Sequence, residues 1–140
     1  MKTKDRNEGV TITLSNEKSM EFFHNALCNG LDYISGYGLS LDFVKAEYKN
    51  SSEKWKQEHP NETCCYEDVL IQMLKDGYSL TIVDEEHEGE YTRTIRLGDV
   101  WERVGKTPQR FLFDMIQQND DAETADVILQ TVFFEDVIFG

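Results

Sequence analysis

The chain has 140 residues, is 39% hydrophobic and 11% aromatic, and carries a formal net charge of −13. That length suits one domain with a real core and is short for two. The composition excludes a disordered chain, the charge disfavours direct binding to nucleic-acid phosphate, and no run approaches the ~18 apolar residues of a membrane span.

The opening residues Met1 to Arg6 are polar and carry no apolar leader core, so the expectation is an intracellular protein. Three cysteines, two of them adjacent (Cys64 and Cys65), make a poor disulfide framework and agree with that setting. Val10–Leu14 alternates and predicts a short strand. Ser15 is placed to cap a helix near 16–28, with Met20, Phe23 and Leu27 on one face and Asn29-Gly30 as its stop. Tyr37, Leu39, Leu41 and Phe43 alternate and favour a strand, with Val10–Leu14 as a candidate partner. Lys45–Glu58 is polar and predicts a surface helix through Val44, Tyr48 and Trp55, broken by His59-Pro60-Asn61.

The most informative stretch runs from Tyr66 to Trp101. Tyr66, Val69, Leu70, Met73 and Leu74 form the stripe of an amphipathic helix near 63–75. Gly77 stands where a left-handed cap belongs. Residues 78–83 and 90–97 both alternate at period two across an acidic, Gly-ended turn, which predicts a β-hairpin over about 78–97. The helical stripe is expected to pack on the hairpin's apolar face, with Leu80 and Ile82 buried and Ser79 and Thr81 outward. A short helix at 99–103 follows, then Thr107-Pro108 as N-cap and first residue of a helix near 108–118. Asp120 to Glu123 reads as a capping box for a helix near 121–132 with the stripe Ala125, Ile128, Leu129 and Val132. The closing segment Phe133–Gly140 holds five large apolar residues in eight and must be covered by this chain or another. The fold class is α+β: one domain over 1–140, about four strands in a small antiparallel or mixed sheet packed by several helices. Core candidates are Phe23, Leu27, Leu70, Met73, Leu80, Ile82, Phe111, Ile128 and Leu129.

The segment Asp121-Ala122-Glu123-Thr124-Ala125-Asp126-Val127-Ile128-Leu129-Gln130, followed by Phe133-Phe134-Glu135-Asp136-Val137-Ile138-Phe139-Gly140, resembles the ends of small uncharacterised proteins of phages and mobile elements in gut bacteria. The shared features are an Ala-Asp helix start, a Leu-Gln pair and a closing run of Phe, acid, two aliphatics, an aromatic and Gly. This chain has Glu-Asp where a Gly before the acid is expected. The likeness covers roughly the last quarter of the chain. It implies the cytoplasm of a bacterial host as the setting and brings no assigned activity.

Several constellations bear on chemistry. Asp84, Glu86, Glu88 and Gly89 stand at relative positions 1, 3, 5 and 6 of a calcium loop, but position 12 is Ile95 rather than a bidentate Glu and the flanks alternate like strands. A solvated hairpin turn fits better. His24, Cys28, His59, Cys64 and Cys65 match no zinc spacing, and none of the three histidines sits in a nucleophile signature. No metal, cofactor or catalytic residue is therefore assigned. The remaining feature is charge: from 111 to 140 there are seven acids (Asp114, Asp120, Asp121, Glu123, Asp126, Glu135, Asp136) and no Lys or Arg. An acidic solvent face that aids solubility is one reading. The other is a surface that imitates nucleic-acid phosphate and meets a protein partner with a basic surface. Its candidate residues are Asp120, Asp121, Glu123 and Asp126, with Asp84, Glu86 and Glu88. The expected function is a non-enzymatic binding protein, monomeric or weakly dimeric; the alternative is an accessory protein with no inhibitory role.

Overall fold

A computed structural model of the chain describes residues 13–140. It is an α+β arrangement of six α-helices and a small antiparallel sheet. The first helix, α1, spans Asn16–Ser35, begun by the Lys18 N–H donating to Ser15 Oγ at 3.0 Å. It passes straight through Asn29-Gly30, the expected stop. Gly30 is there for packing: a Cβ at that position would lie 2.8 Å from Leu129 Cδ1 and 3.1 Å from Ala125 Cβ. Side-chain absence thus lets α1 lie against the last helix, and the tertiary gain outweighs the ~1 kcal/mol cost of a helical glycine.

Strand β1 (Leu39–Asp42) follows, then helix α2 (Lys45–Glu58), which buries Ser51 and Trp55. Val44 stands outside the helix as its exposed N-cap residue. Helix α3 (Tyr66–Lys75) starts later than residue 63 because the Cys65 N–H donates to Asp68 Oδ2 at 3.2 Å and fixes the cap there. It ends as expected: Gly77 has φ +91°, the Tyr78 N–H reaches the Met73 carbonyl and the Gly77 N–H the Leu74 carbonyl, the paired bonds of a left-handed cap.

Strands β2 (Leu80–Asp84) and β3 (Arg93–Ile95) form the expected hairpin, with Leu80 opposite Ile95 and Ile82 opposite Arg93. Leu80 and Ile82 face the core, while Thr81 pairs with Thr94 through their hydroxyls at 2.8 Å. The sheet order is β1-β2-β3, so β1 is the antiparallel neighbour of β2. The expected strand Val10–Leu14 lies mostly outside the described residues; Thr13 and Leu14 are described and are not in a strand. Three strands rather than four are thus present among the described residues.

Helix α4 (Leu97–Arg103) leads through a 3-10 turn (Val104–Lys106) to α5 (Gln109–Ile116) and α6 (Ala122–Phe134). Pro108, not Thr107, is the N-cap of α5, and the Thr107 hydroxyl is buried without a bonding partner. The cap of α6 is one residue later than the box read from sequence: Asp121 Oδ1 accepts from the Thr124 N–H at 3.0 Å and from its hydroxyl at 3.1 Å. Every residue from Thr124 to Phe133 is buried, which makes α6 the centre of the molecule. Its main partner is α1, where Phe23 and Phe133 meet at 6.3 Å between ring centroids. The α3 stripe Val69, Leu70, Met73 and Leu74 belongs to the same core as Leu80 and Ile82, but the helix packs chiefly on α2 and α1 rather than on the hairpin face expected for it. All nine core candidates are buried. Among the described residues no helix is long and apolar enough to cross a membrane.

Candidate functional site

A helix buried on all sides must satisfy its own polar side chains, and α6 does so by capturing the chain's end. Gln130 Oε1 accepts from the Ile138 N–H at 2.7 Å and the Phe139 N–H at 2.8 Å. Its Nε2 donates to the Phe139 carbonyl at 3.2 Å and to Asp126 Oδ1 at 2.8 Å. One buried amide thereby uses both donors and both lone pairs. The Tyr37 hydroxyl donates to the other Asp126 oxygen at 2.8 Å. Burial pushes the Asp126 carboxyl above its ordinary value, with the negative Glu123 adding to that, while the bonds from Gln130 and Tyr37 partly offset it.

The held tail places Phe139 in an aromatic cluster. It stacks on Tyr37 (5.1 Å, 16° between planes), meets Tyr91 edge-on at 5.1 Å and touches His87 at 5.5 Å. Tyr91 and His87 belong to the β2–β3 loop, which Asp84 organises from inside. Its Oδ1 accepts from the Glu86 and His87 N–H groups and from His87 Nδ1, and its Oδ2 from the Tyr91 N–H, at 2.9–3.1 Å. Burial alone would raise this carboxyl, but the bonds from His87 and the Tyr91, His87 and Glu86 backbone hold it down at about 2. These bonds also draw residues 90–92 out of the ladder, so β3 is shorter than the alternation implied.

Beside the stacked pair lies an open cleft of about 680 Å³. Tyr33, Tyr37, Phe113 and Phe139 give it aromatic walls, and Glu123 and Asp126 bring carboxylates to it. Tyr33 and Phe113 are 43% and 44% exposed, large aromatic surfaces left open to solvent. Arg110 also lines the cleft, its guanidinium 4.5 Å from the Phe111 ring centroid.

The acidic residues singled out from sequence divide here. Glu123 lines the cleft, and Asp121 and Asp120 precede it at the start of α6. Asp121 is engaged as the cap, and the bonds from Thr124 lower its carboxyl. Glu86 and Glu88 are exposed in the β2–β3 loop. Glu86 lies across Gly38, where a Cβ would fall 2.4 Å from Glu86 Cγ; Gly38, at φ +81°, adjoins the cleft residue Tyr37. Two residues leave the exposed set: Asp84 and Asp126 are 4% and 3% exposed and spend their oxygens inside the protein. Asp84 is accordingly a loop organiser, not a calcium-loop ligand or partner contact, and Asp126 reaches solvent only through the cleft. Sequence reading missed Gln130, Tyr33, Tyr37 and Phe113 as site residues. Gln130 alone carries a signal, as one of two polar residues, with Thr131, in the run Val127–Phe133, which points to a buried bonding role without naming its partner.

A second grouping joins Cys28, His24 and Asp68. Cys28 Sγ is 4.0 Å from His24 Nδ1, and His24 Nε2 is 2.9 Å from Asp68 Oδ1. The order resembles a thiol–imidazole–carboxylate relay, but partial burial and the nearby Glu67 and Asp68 push the Cys28 thiol up. A nucleophilic cysteine needs the opposite shift. His59 is elsewhere, stacked on Trp55 at 4.2 Å with its Nδ1 on the Trp55 carbonyl. Among the described residues no group of three or more His, Cys, Asp or Glu is arranged to hold a metal ion.

No family model matches the chain, and neither a curated protein nor a solved structure matches it.

Proposed function

We propose that this chain is a non-enzymatic binding protein whose acidic surface, centred on the cleft beside α6, meets a protein partner with a basic surface. The observation that carries the reading is the cleft itself: open aromatic walls with Glu123 and Asp126 beside them, in a chain of net charge −13. Carboxylates on a packed scaffold attract Lys and Arg and raise the association rate, and the aromatic surface supplies contact area once the partner arrives. Imitation of nucleic-acid phosphate, within a phage or mobile element, is the form of this reading that the C-terminal resemblance favours. The chain would act as a monomer or weak dimer in the host cytoplasm. Affinity capture from a bacterial lysate at low and high salt tests it, comparing the natural chain with Glu86→Lys/Glu123→Lys. Basic proteins retained by the natural chain, released by salt and lost from the variant are the expected result. Recovery of the same proteins by both chains would leave the accessory role instead.

A further inference from the structure

We infer that the cleft receives the guanidinium of an arginine side chain presented by the partner, an assignment that rests on the binding function proposed above. The walls suit a flat cation. Tyr37 and Phe139 are stacked within 16° of parallel, Tyr33 meets Tyr37 edge-on at 6.1 Å, and Tyr33 and Phe113 offer exposed ring surface. Aromatic faces attract cations, and guanidinium does this best because it is planar and weakly hydrated. The same wall already holds one such contact, Arg110 over Phe111.

Charge selects the sign of the guest. Arg110 offsets one of the two carboxylates, Glu123 and Asp126, so those three side chains leave the cleft at a formal −1. An arginine brings the sum to zero; an acidic guest would face two carboxylates. Asp126 is nearly fully buried and bonds Gln130 and the Tyr37 hydroxyl through its two oxygens, so it contributes a fixed negative charge to the wall, while the exposed Glu123 is the carboxylate that a guest can reach. A volume of about 680 Å³ accommodates the side chain together with flanking partner residues. Lysine fits less well, since its compact, strongly hydrated ammonium gains less from stacked faces.

The test is an NMR titration of the isotope-labelled full chain with N-acetyl-arginine methylamide, its uncharged citrulline counterpart and the lysine counterpart. Saturable shifts confined to Tyr33, Phe113, Glu123 and Val127, with citrulline binding at least tenfold more weakly, are expected. Phe113→Ala and Glu123→Gln, both at exposed positions, should each weaken arginine binding roughly 3- to 30-fold while amide spectra elsewhere stay unchanged. Equal shifts with arginine and citrulline, or shifts spread over the β2–β3 loop and absent from the cleft, would overturn the assignment. If that result came with salt-dependent partner capture intact, the arginine site would fall and the proposed function would stand.

Discussion

Gln130 and Phe139 bond to each other in both directions: the Phe139 N–H donates to Gln130 Oε1 at 2.8 Å and Gln130 Nε2 donates to the Phe139 carbonyl at 3.2 Å. A buried amide on the central helix thus reads the backbone of the tail as a neighbouring strand would. The tail in turn places the Phe139 ring between Tyr37 and the β2–β3 loop. The exchange thereby fixes the part of the cleft wall that Phe139 supplies.

Gln130→Leu removes the exchange while keeping an apolar helix. The Ile138 and Phe139 N–H groups lose their acceptor and Asp126 loses one donor, each a cost of about 1–3 kcal/mol where the group stays buried. The expected result is release of the tail with an overall loss of about 2 kcal/mol. Hydrogen exchange should show loss of protection at Ile138 and Phe139 with α1 and α3 still protected. Unchanged protection of those two amides would contradict the assigned role of Gln130.

Gly30→Ala tests the contact between α1 and α6. The added methyl meets Leu129 Cδ1 at 2.8 Å and Ala125 at 3.1 Å. Overpacking of this kind costs about 1–3 kcal/mol, against a gain of about 1 kcal/mol from helix propensity. Urea unfolding should show net destabilisation of about 1 kcal/mol. A more stable variant would mean that the helices are free to shift apart.

Asp126 and Asp84 predict opposite pH behaviour. The Asp126 carboxyl is raised in the folded state, so the folded chain holds that proton more tightly than the unfolded chain, whose value is about 3.9. Its contribution to stability is full below that value and is lost as pH rises through the folded one. Asp126→Asn keeps a neutral acceptor for Gln130, so the variant should gain on the natural chain as pH rises from about 4 toward neutral. Parallel stability curves would contradict this.

For Asp84 the sign reverses. Its folded value of about 2 lies below the unfolded one, so its contribution is present above about pH 4 and disappears as pH falls toward 2. Asp84→Asn should be less stable than the natural chain at neutral pH, and the difference should shrink in that acid window. Tyr91 and His87 amides should lose protection at the same time. A difference that did not narrow on acidification would show that the loop is held by something other than the ionised carboxylate.

Local signals in the sequence were reliable where local physics decides the outcome. The Gly77 cap, the Ser15 cap and the Leu80/Ile82 parity are short-range features, and each appears as read; of the α3 stripe, Val69, Leu70, Met73 and Leu74 are buried as read, but so are Ile71 and Gln72, while Tyr66 is exposed. The failures have two sources. Gly30 looks like a helix stop until Ala125 and Leu129 stand against it, and Asp126 looks like a surface acid until Tyr37 bonds it from a distant part of the chain. Others are local: Asp84 is turned inward by donors of its own loop, Glu86, His87 and Tyr91, and the N-caps at Pro108 and Asp121 each lie one residue after the position read. Gln130 to Phe139 and Tyr37 to Asp126 are contacts that no periodicity encodes. The cleft, built from α1, α5, α6 and the tail, was therefore invisible in the chain, although Glu123 beside it was singled out for its charge.

In the proposed binding mode a basic partner is met at and beside the cleft, and not by net charge alone. The association rate of a labelled arginine-rich peptide across a salt series tests this with three proteins: the natural chain, Glu86→Lys/Glu123→Lys in the β2–β3 loop that packs on Phe139 and in the cleft lining, and Glu53→Lys/Glu62→Lys on α2 and the loop after it, away from both. Both variants carry −9, that is −13 plus 4, so they differ only in where the charge was reversed. The Glu86/Glu123 pair should slow association about tenfold or more at low salt and the distant pair much less. The three rates should converge as screening shortens to a few ångströms near 1 M salt. Equal slowing by the two pairs would contradict the claim and leave the acidic surface as a solubilising one.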